Sequence, residues 1–107
     1  MKYKNTLQKG SVRYIVFREK KTWYAVGLEF NIVEAGDDPR EVLLSLLEAI
    51  QGYAKSAKKI RERPHILNQT TDSEYEKLWK HLQQHKKPST KRMPLVYTFG
   101  QRALVAA

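Results

Sequence analysis

Two consecutive segments with β-strand character constrain the fold of this chain more than any other feature. Ser11–Glu19 (SVRYIVFRE) and Thr22–Phe30 (TWYAVGLEF) are both rich in the β-branched and aromatic residues that strands favour. The polar stretch 19–22 that joins them has hairpin length. Asn31–Ala35 then predicts a short third strand that ends at Gly36. The sequence therefore predicts a three-stranded antiparallel meander.

Both faces of this meander are predicted to be apolar. Alternate residues of a strand point to opposite faces, and the residues of the first two strands separate into two apolar sets. In the first strand Val12, Tyr14 and Val16 oppose Ile15 and Phe17, and in the second Trp23 and Ala25 oppose Tyr24, Val26, Leu28 and Phe30. Each face then needs a cover, one from within the domain and the other from the C-terminal half or from a partner protein.

A capped amphipathic helix is predicted after the meander. Asp37 or Asp38 can cap it, Pro39 suits its first turn, and Glu41 has the spacing of a capping box with Asp38. Its apolar residues share one side and are predicted to pack on the sheet: Val42, Leu43, Leu46, Leu47, Ile50, Tyr53, Ala54 and Ala57. Leu44 falls outside that side, so it is either an exposed leucine or a contact with another chain.

A second helix and late strands are predicted in the C-terminal half. The helix covers about residues 73–85, with Thr71 or Asp72 as its cap, and its narrow apolar stripe is expected to dock on the remaining sheet face through Tyr75, Leu78, Trp79 and Leu82. Met93–Phe99 predicts a strand centred on 95–99, and Gly100 is expected to separate it from a short one at Arg102–Val105. Because an isolated hairpin is marginal in water, these strands should join the sheet edge.

The expected architecture is α+β, with one domain over residues 1–107. It divides into a βββα core at 12–59 and a C-terminal extension at 60–107. The sequence has no cysteine, which excludes disulfides, thiolate metal sites and a thiol nucleophile. It also has no run of about 18 apolar residues and no signal-peptide pattern. We therefore expect a cytoplasmic protein that is not inserted in a membrane.

The net charge of +9 raises the question of nucleic-acid binding. The excess lies at the two ends of the chain, because residues 1–34 have a net charge of +4, residues 35–59 of zero and residues 60–107 of +5. Two basic clusters stand out, one formed by Lys58, Lys59, Arg61 and Arg63 and the other by Lys86, Lys87, Lys91 and Arg92. Each is either a solvated surface or a set of phosphate contacts.

No catalytic or metal-binding pattern is recognisable in the sequence. His81 and His85 share a helix face at i, i+4 spacing, yet the only other histidine is His65 and a metal site needs further ligands. Capping accounts for Asp37 and Asp38 better than acid–base chemistry does. The five glycines are scattered and form no phosphate-binding loop. We expect no enzymatic activity, no metal and no cofactor.

Four short sequence elements are similar to those of the HicB-like antitoxin domain of bacterial and archaeal toxin–antitoxin pairs. In order, they are Trp23-Tyr24-Ala25 in the second strand, Val33-Glu34-Ala35-Gly36 in the third, Asp37-Asp38-Pro39-Arg40-Glu41-Val42 at the helix start, and Leu47-Glu48-Ala49-Ile50 followed by Tyr53. The resemblance covers about residues 12–54. It implies a βββα fold and the binding of a protein partner, in that family a small ribonuclease toxin that is inhibited by steric occlusion.

Three functional hypotheses follow. The first is a HicB-like protein-binding domain that uses its sheet face and C-terminal segment, with partner-binding residues Trp23, Tyr24, Phe30 and Leu44. The alternative is a nucleic-acid-binding module, in which sheet aromatics stack on bases while the basic clusters hold phosphates. The third is a homo-oligomer that buries its second sheet face between subunits.

Overall fold

The computed structural model describes residues 10–59, 73–84 and 95–104. It is an α+β structure with one four-stranded antiparallel sheet and two helices. The strands are β1 (Gly10–Glu19), β2 (Thr22–Gly27), β3 (Ile32–Gly36) and β4 (Leu95–Leu104), and their order in the sheet is β3-β2-β1-β4. The helices are α1 (Pro39–Lys59) and α2 (Ser73–Gln83). The predicted three-stranded meander is confirmed as part of this sheet.

Strand β2 is shorter than predicted, and this changes the position of Phe30. The strand ends at Gly27, and a turn follows in which the Asn31 N–H donates to the Leu28 carbonyl at 3.1 Å. Asn31 adopts a left-handed φ of 55°, a conformation that asparagine tolerates better than most residues. Because the turn interrupts the alternation, Phe30 lies in the core beside Val12 and not with Leu28. The prediction that Phe30 shares a sheet face with Leu28 was therefore wrong.

Helix α1 covers one side of the sheet, which we call the α1 face. Asp38 caps the helix, since its Oδ1 accepts from the Arg40 N–H at 2.8 Å and its carbonyl accepts from the Val42 N–H at 3.1 Å. The core beneath α1 contains apolar residues from the sheet, the β2–β3 turn and the helix: Val12, Val16, Ala25, Phe30, Val42, Leu46, Ile50 and Ala57. The amphipathic pattern of the helix thus predicted its packing side correctly.

Helix α2 covers the opposite side, the α2 face. Trp79 is 6% exposed and packs with four buried residues of β1, β2 and the turn, which are Ile15, Phe17, Val26 and Leu28. The Trp79 ring meets Phe99 of β4 edge-on, with centroids 5.8 Å apart. The remaining stripe residues pack around this cluster. The predicted two-sided cover of the sheet is confirmed, and the chain supplies both covers itself.

The late strand joins the sheet edge, as expected, but as one strand. Gly100 lies within β4 opposite Tyr14, so it does not separate two strands as predicted. The pairing with β1 shifts between Val16 and Phe17, because Val16 is opposite Thr98 while Phe17 is opposite Val96. Tyr97 is thus an extra residue, which makes a β-bulge.

Candidate functional site

The α1 face carries an uncovered group of side chains at the end of the sheet near the β1–β2 turn. It comprises Arg18, Trp23, Leu95 and Tyr97, which we call the open patch. Leu95 is 55% exposed and Tyr97 45%, while Arg18 is exposed and Trp23 is half-buried against the core under α1. Large apolar side chains exposed together in this way distinguish the patch from singly exposed residues elsewhere.

Strand register brings three members of the open patch together. Arg18 of β1 is directly opposite Trp23 of β2 on one side and Leu95 of β4 on the other. Residues directly opposite in antiparallel strands share a face and contact one another. The Arg18 guanidinium lies 5.6 Å from the Trp23 ring centroid, within range of a cation–π interaction.

The β-bulge adds the fourth member. Val96 and Phe99 both pack into the core of the α2 face although they are three residues apart, which strict alternation does not allow. The extra residue of the bulge lets both side chains point to the α2 face, and it leaves Tyr97 on the α1 face. There its ring meets Trp23 edge-on, with centroids 6.1 Å apart. The bulge thus directs a tyrosine into the patch.

The charged residue of the open patch and both charged residues of the adjacent turn are positive, while Glu19 ends β1 between them. The residues of β1 and β4 that lie on the α1 face include Arg18 at this end and Arg102 near the other end of β4, and no carboxylate. Lys20 and Lys21 form the adjacent turn, where Lys20 has a left-handed φ of 57°. Glu34 belongs to β3 at the opposite edge of the sheet. This end of the α1 face therefore favours a negatively charged partner.

The four predicted partner-binding residues do not form one surface. Trp23 belongs to the open patch, whereas Tyr24 is half-buried on the α2 face, stacked on Phe17 with centroids 5.7 Å apart. Phe30 is 2% exposed and packs on Tyr53, so its side chain is not accessible in this conformation. Leu44 is 60% exposed on α1, which confirms that it lies outside the core-facing side; its role in a contact stays a prediction.

An ion-pair network that the sequence reading missed joins α2 to the sheet. Arg13 Nε donates to Glu29 Oε2 at 2.6 Å, while Nη1 and Nη2 donate to the two carboxylate oxygens of Glu76 at 2.8 and 2.7 Å. The Arg13 N–H also donates to Glu29 Oε1 at 2.7 Å. The guanidinium lies 5.6 Å from the Trp79 ring centroid. Hydrogen bonding to Glu76 and Glu29 raises the pKa of Arg13, so it stays charged.

This network links helix α2 to the sheet through one half-buried arginine and two carboxylates. The Glu29 side chain is 7% exposed and is held by Arg13, while the Glu76 side chain is 44% exposed. A buried carboxylate paired with arginine is a common structural solution. The only sequence signal for this network is the alternation of β1, which puts Arg13 on the same face as the apolar residues Ile15 and Phe17.

The remaining sequence candidates add no chemical site to the described residues. His81 lies on α2 with Nε2 buried and without a hydrogen-bond partner among those residues, and His65 and His85 lie outside them. The described ranges contain no group of three side chains suited to a metal ion. Neither α1 nor α2 combines the length and the apolar character that crossing a membrane requires.

The two basic clusters fall largely outside the part of the chain that the structure describes. Lys58 and Lys59 belong to the last turn of α1, without a description of their side chains, and the other cluster residues lie in 60–72 and 85–94. Their contribution to binding stays a prediction.

Comparison with protein-family models, with curated proteins and with solved structures gives no significant match for this chain. The HicB-like resemblance therefore depends on the sequence elements quoted above, and the function has to be inferred from the geometry of the open patch.

Proposed function

We propose that this chain is a non-enzymatic binding domain that holds a partner protein on the open patch. The supporting observation is the contiguous exposure of Leu95 and Tyr97 beside Trp23 and Arg18. Tryptophan, tyrosine and arginine are the residue types that dominate binding energy at protein interfaces. A partner that covers them removes apolar area from water and needs no rearrangement of the sheet.

The mode of action that we propose is steric occlusion. The HicB-like resemblance implies an antitoxin that covers the active site of a small ribonuclease toxin, and a rigid sheet surface suits this role. The four members of the patch are held by cross-strand pairing and ring contacts, so few side chains must be ordered on binding. Affinity then depends on a few central residues, of which Tyr97 and Trp23 are the strongest candidates.

The decisive experiment is co-expression with the product of a neighbouring gene. If that gene encodes a small toxin, cells should survive its expression only when this chain is present. Survival should be lost with Tyr97→Ala combined with Leu95→Ser. The matched control is Val33→Ala, since Val33 is 46% exposed but lies on β3 at the other edge. Equal protection by all three proteins would contradict a role of the patch.

Nucleic-acid binding is the second candidate function, and one observation favours it. The Trp23 ring, with Arg18 against it, is a surface on which an unpaired base can stack, and the chain has a net charge of +9. Binding of this kind must weaken steeply with salt, by on the order of a thousandfold between about 50 and 200 mM for six or more phosphate contacts. Affinity that changes little over this range argues for the protein partner.

A further inference from the structure

The outer edge of β4 is a second binding element beside the open patch. β4 pairs with β1 from Leu95 to Leu104, and within the described residues no strand pairs with its other side. Among the described residues, none occupies its outward N–H and C=O groups as a paired strand, and such groups can accept another extended chain. We propose that a partner's acidic, extended segment adds to this edge as a fifth strand, an inference that rests on the proposed function and specifies the partner's chemistry.

β4 has few of the features by which proteins protect a sheet edge. Its ten residues, LVYTFGQRAL, include no proline and one charged residue, Arg102. The bulge at Tyr97 distorts only one end, so Thr98–Leu104 remains regularly paired with β1. The opposite edge is β3, which has five residues and includes Glu34. Long, regular edges of low charge are the ones that accept added strands.

On the α1 face next to this edge, β4 presents few side chains of its own. Gly100 has no side chain, and a Cβ there would approach the Tyr14 hydroxyl to 2.9 Å. The Tyr14 ring thus lies over Gly100, and between Tyr97 and Arg102 β4 presents only the small residue Thr98. A strand paired with β4 would place every second side chain on the α1 face, next to Thr98 and Gly100, and the first of these would contact the open patch.

Charge selects among the chains that could occupy this edge. Arg18 and Arg102 lie on the α1 face near the two ends of β4, and no residue of β1 or β4 on that face is acidic. A segment with carboxylates at alternate positions complements them, whereas a second copy would bring together two chains of net charge +9. The geometry and the charge together favour an acidic segment of another protein.

The test is selection of binding peptides on the full-length chain from a displayed library of random twelve-residue peptides. The enriched peptides should have acidic residues at alternate positions. One of them is then synthesised unmodified and with N-methyl groups on alternate residues, which removes the N–H donors from one edge of its backbone. We expect N-methylation to weaken binding at least tenfold, and Arg102→Glu to do the same. Val33→Ala serves as the control variant.

The outcomes separate this inference from the proposed function. Peptides that need Tyr97 and Trp23 but bind equally well after N-methylation would overturn strand addition and leave the protein-binding patch intact. Failure to enrich any peptide, together with tight binding of an eight-nucleotide RNA, would overturn both. A stable dimer in sedimentation that an Arg102→Glu variant strengthens would identify a second copy as the occupant and overturn the acidic partner.

Discussion

Replacing Arg13 should destabilise this protein much more than replacing Glu76, although the two side chains form one bidentate ion pair. The difference comes from the third member of the network. The Glu76 side chain is 44% exposed, so water can solvate it when Arg13 is absent, whereas the Glu29 side chain is 7% exposed. Arg13→Met removes the positive charge and the guanidinium hydrogen bond that Arg13 gives to Glu29, while it keeps an apolar chain against Trp79.

The expected magnitudes follow from these exposures. Breaking a buried ion pair by removing one partner costs about 3–5 kcal/mol, because a buried charge is left uncompensated. An exposed pair contributes about 0.2–1 kcal/mol. We therefore expect Arg13→Met to lower the free energy of unfolding by about 3 kcal/mol and Glu76→Gln by about 1 kcal/mol or less. Adding Glu29→Gln to Arg13→Met should restore more than half of the loss, since the neutral amide still accepts from the backbone N–H of residue 13.

Urea denaturation of the full-length variants, followed by far-ultraviolet circular dichroism, measures these free energies. The reasoning is refuted if Arg13→Met and Glu76→Gln lose the same stability to within about 0.5 kcal/mol, a difference typical of ordinary surface substitutions. It is also refuted if Glu29→Gln destabilises the Arg13→Met background further.

Three further variants, two single and one quadruple, test the packing of α2, the role of Leu44 and the second basic cluster. Trp79→Ala should cost about 3–5 kcal/mol because it empties the core of the α2 face, and a melting temperature within a degree or two of the parent would contradict that packing. Leu44→Lys should leave the melting temperature unchanged and weaken association, and unchanged sedimentation and partner binding would make Leu44 an ordinary surface residue. Replacement of four basic residues by glutamine should weaken nucleic-acid binding uniformly across sequences and leave protein binding nearly unchanged; abolition of tight, sequence-specific binding at physiological salt would contradict the protein-binding proposal. These four are Lys86, Lys87, Lys91 and Arg92.

The fold was largely predictable because its periodicities are strong. Alternation in β1 separated Val12, Tyr14 and Val16 from Ile15 and Phe17, and the structure places these sets on opposite faces. The apolar side of α1 and the stripe of α2 predicted which side of each helix packs. These features depend on residues close in sequence, which is why a single chain is enough to recognise them.

The candidate site was less predictable, because it depends on pairing between distant segments. Arg18 and Leu95 become neighbours only through the β1–β4 register, and Arg13 and Glu76 only through the docking of α2. The exposure of individual aromatic side chains was equally hard to predict. Trp23 and Phe30 both belong to the predicted second strand, yet a turn at Asn31 puts Phe30 into the core. Composition alone cannot distinguish such positions.

The bulge at Tyr97 makes the length of one short segment a determinant of the open patch. Val96 and Phe99 are both anchored beneath α2, so the two residues between them must turn to the other face. Deleting either residue would leave one residue between the two anchors, so simple alternation would keep both anchors in the core and the bulge would be lost. In comparisons of related sequences, a gap of one residue at this point would therefore mark a domain that keeps its fold but lacks the bulge that directs Tyr97 into the open patch.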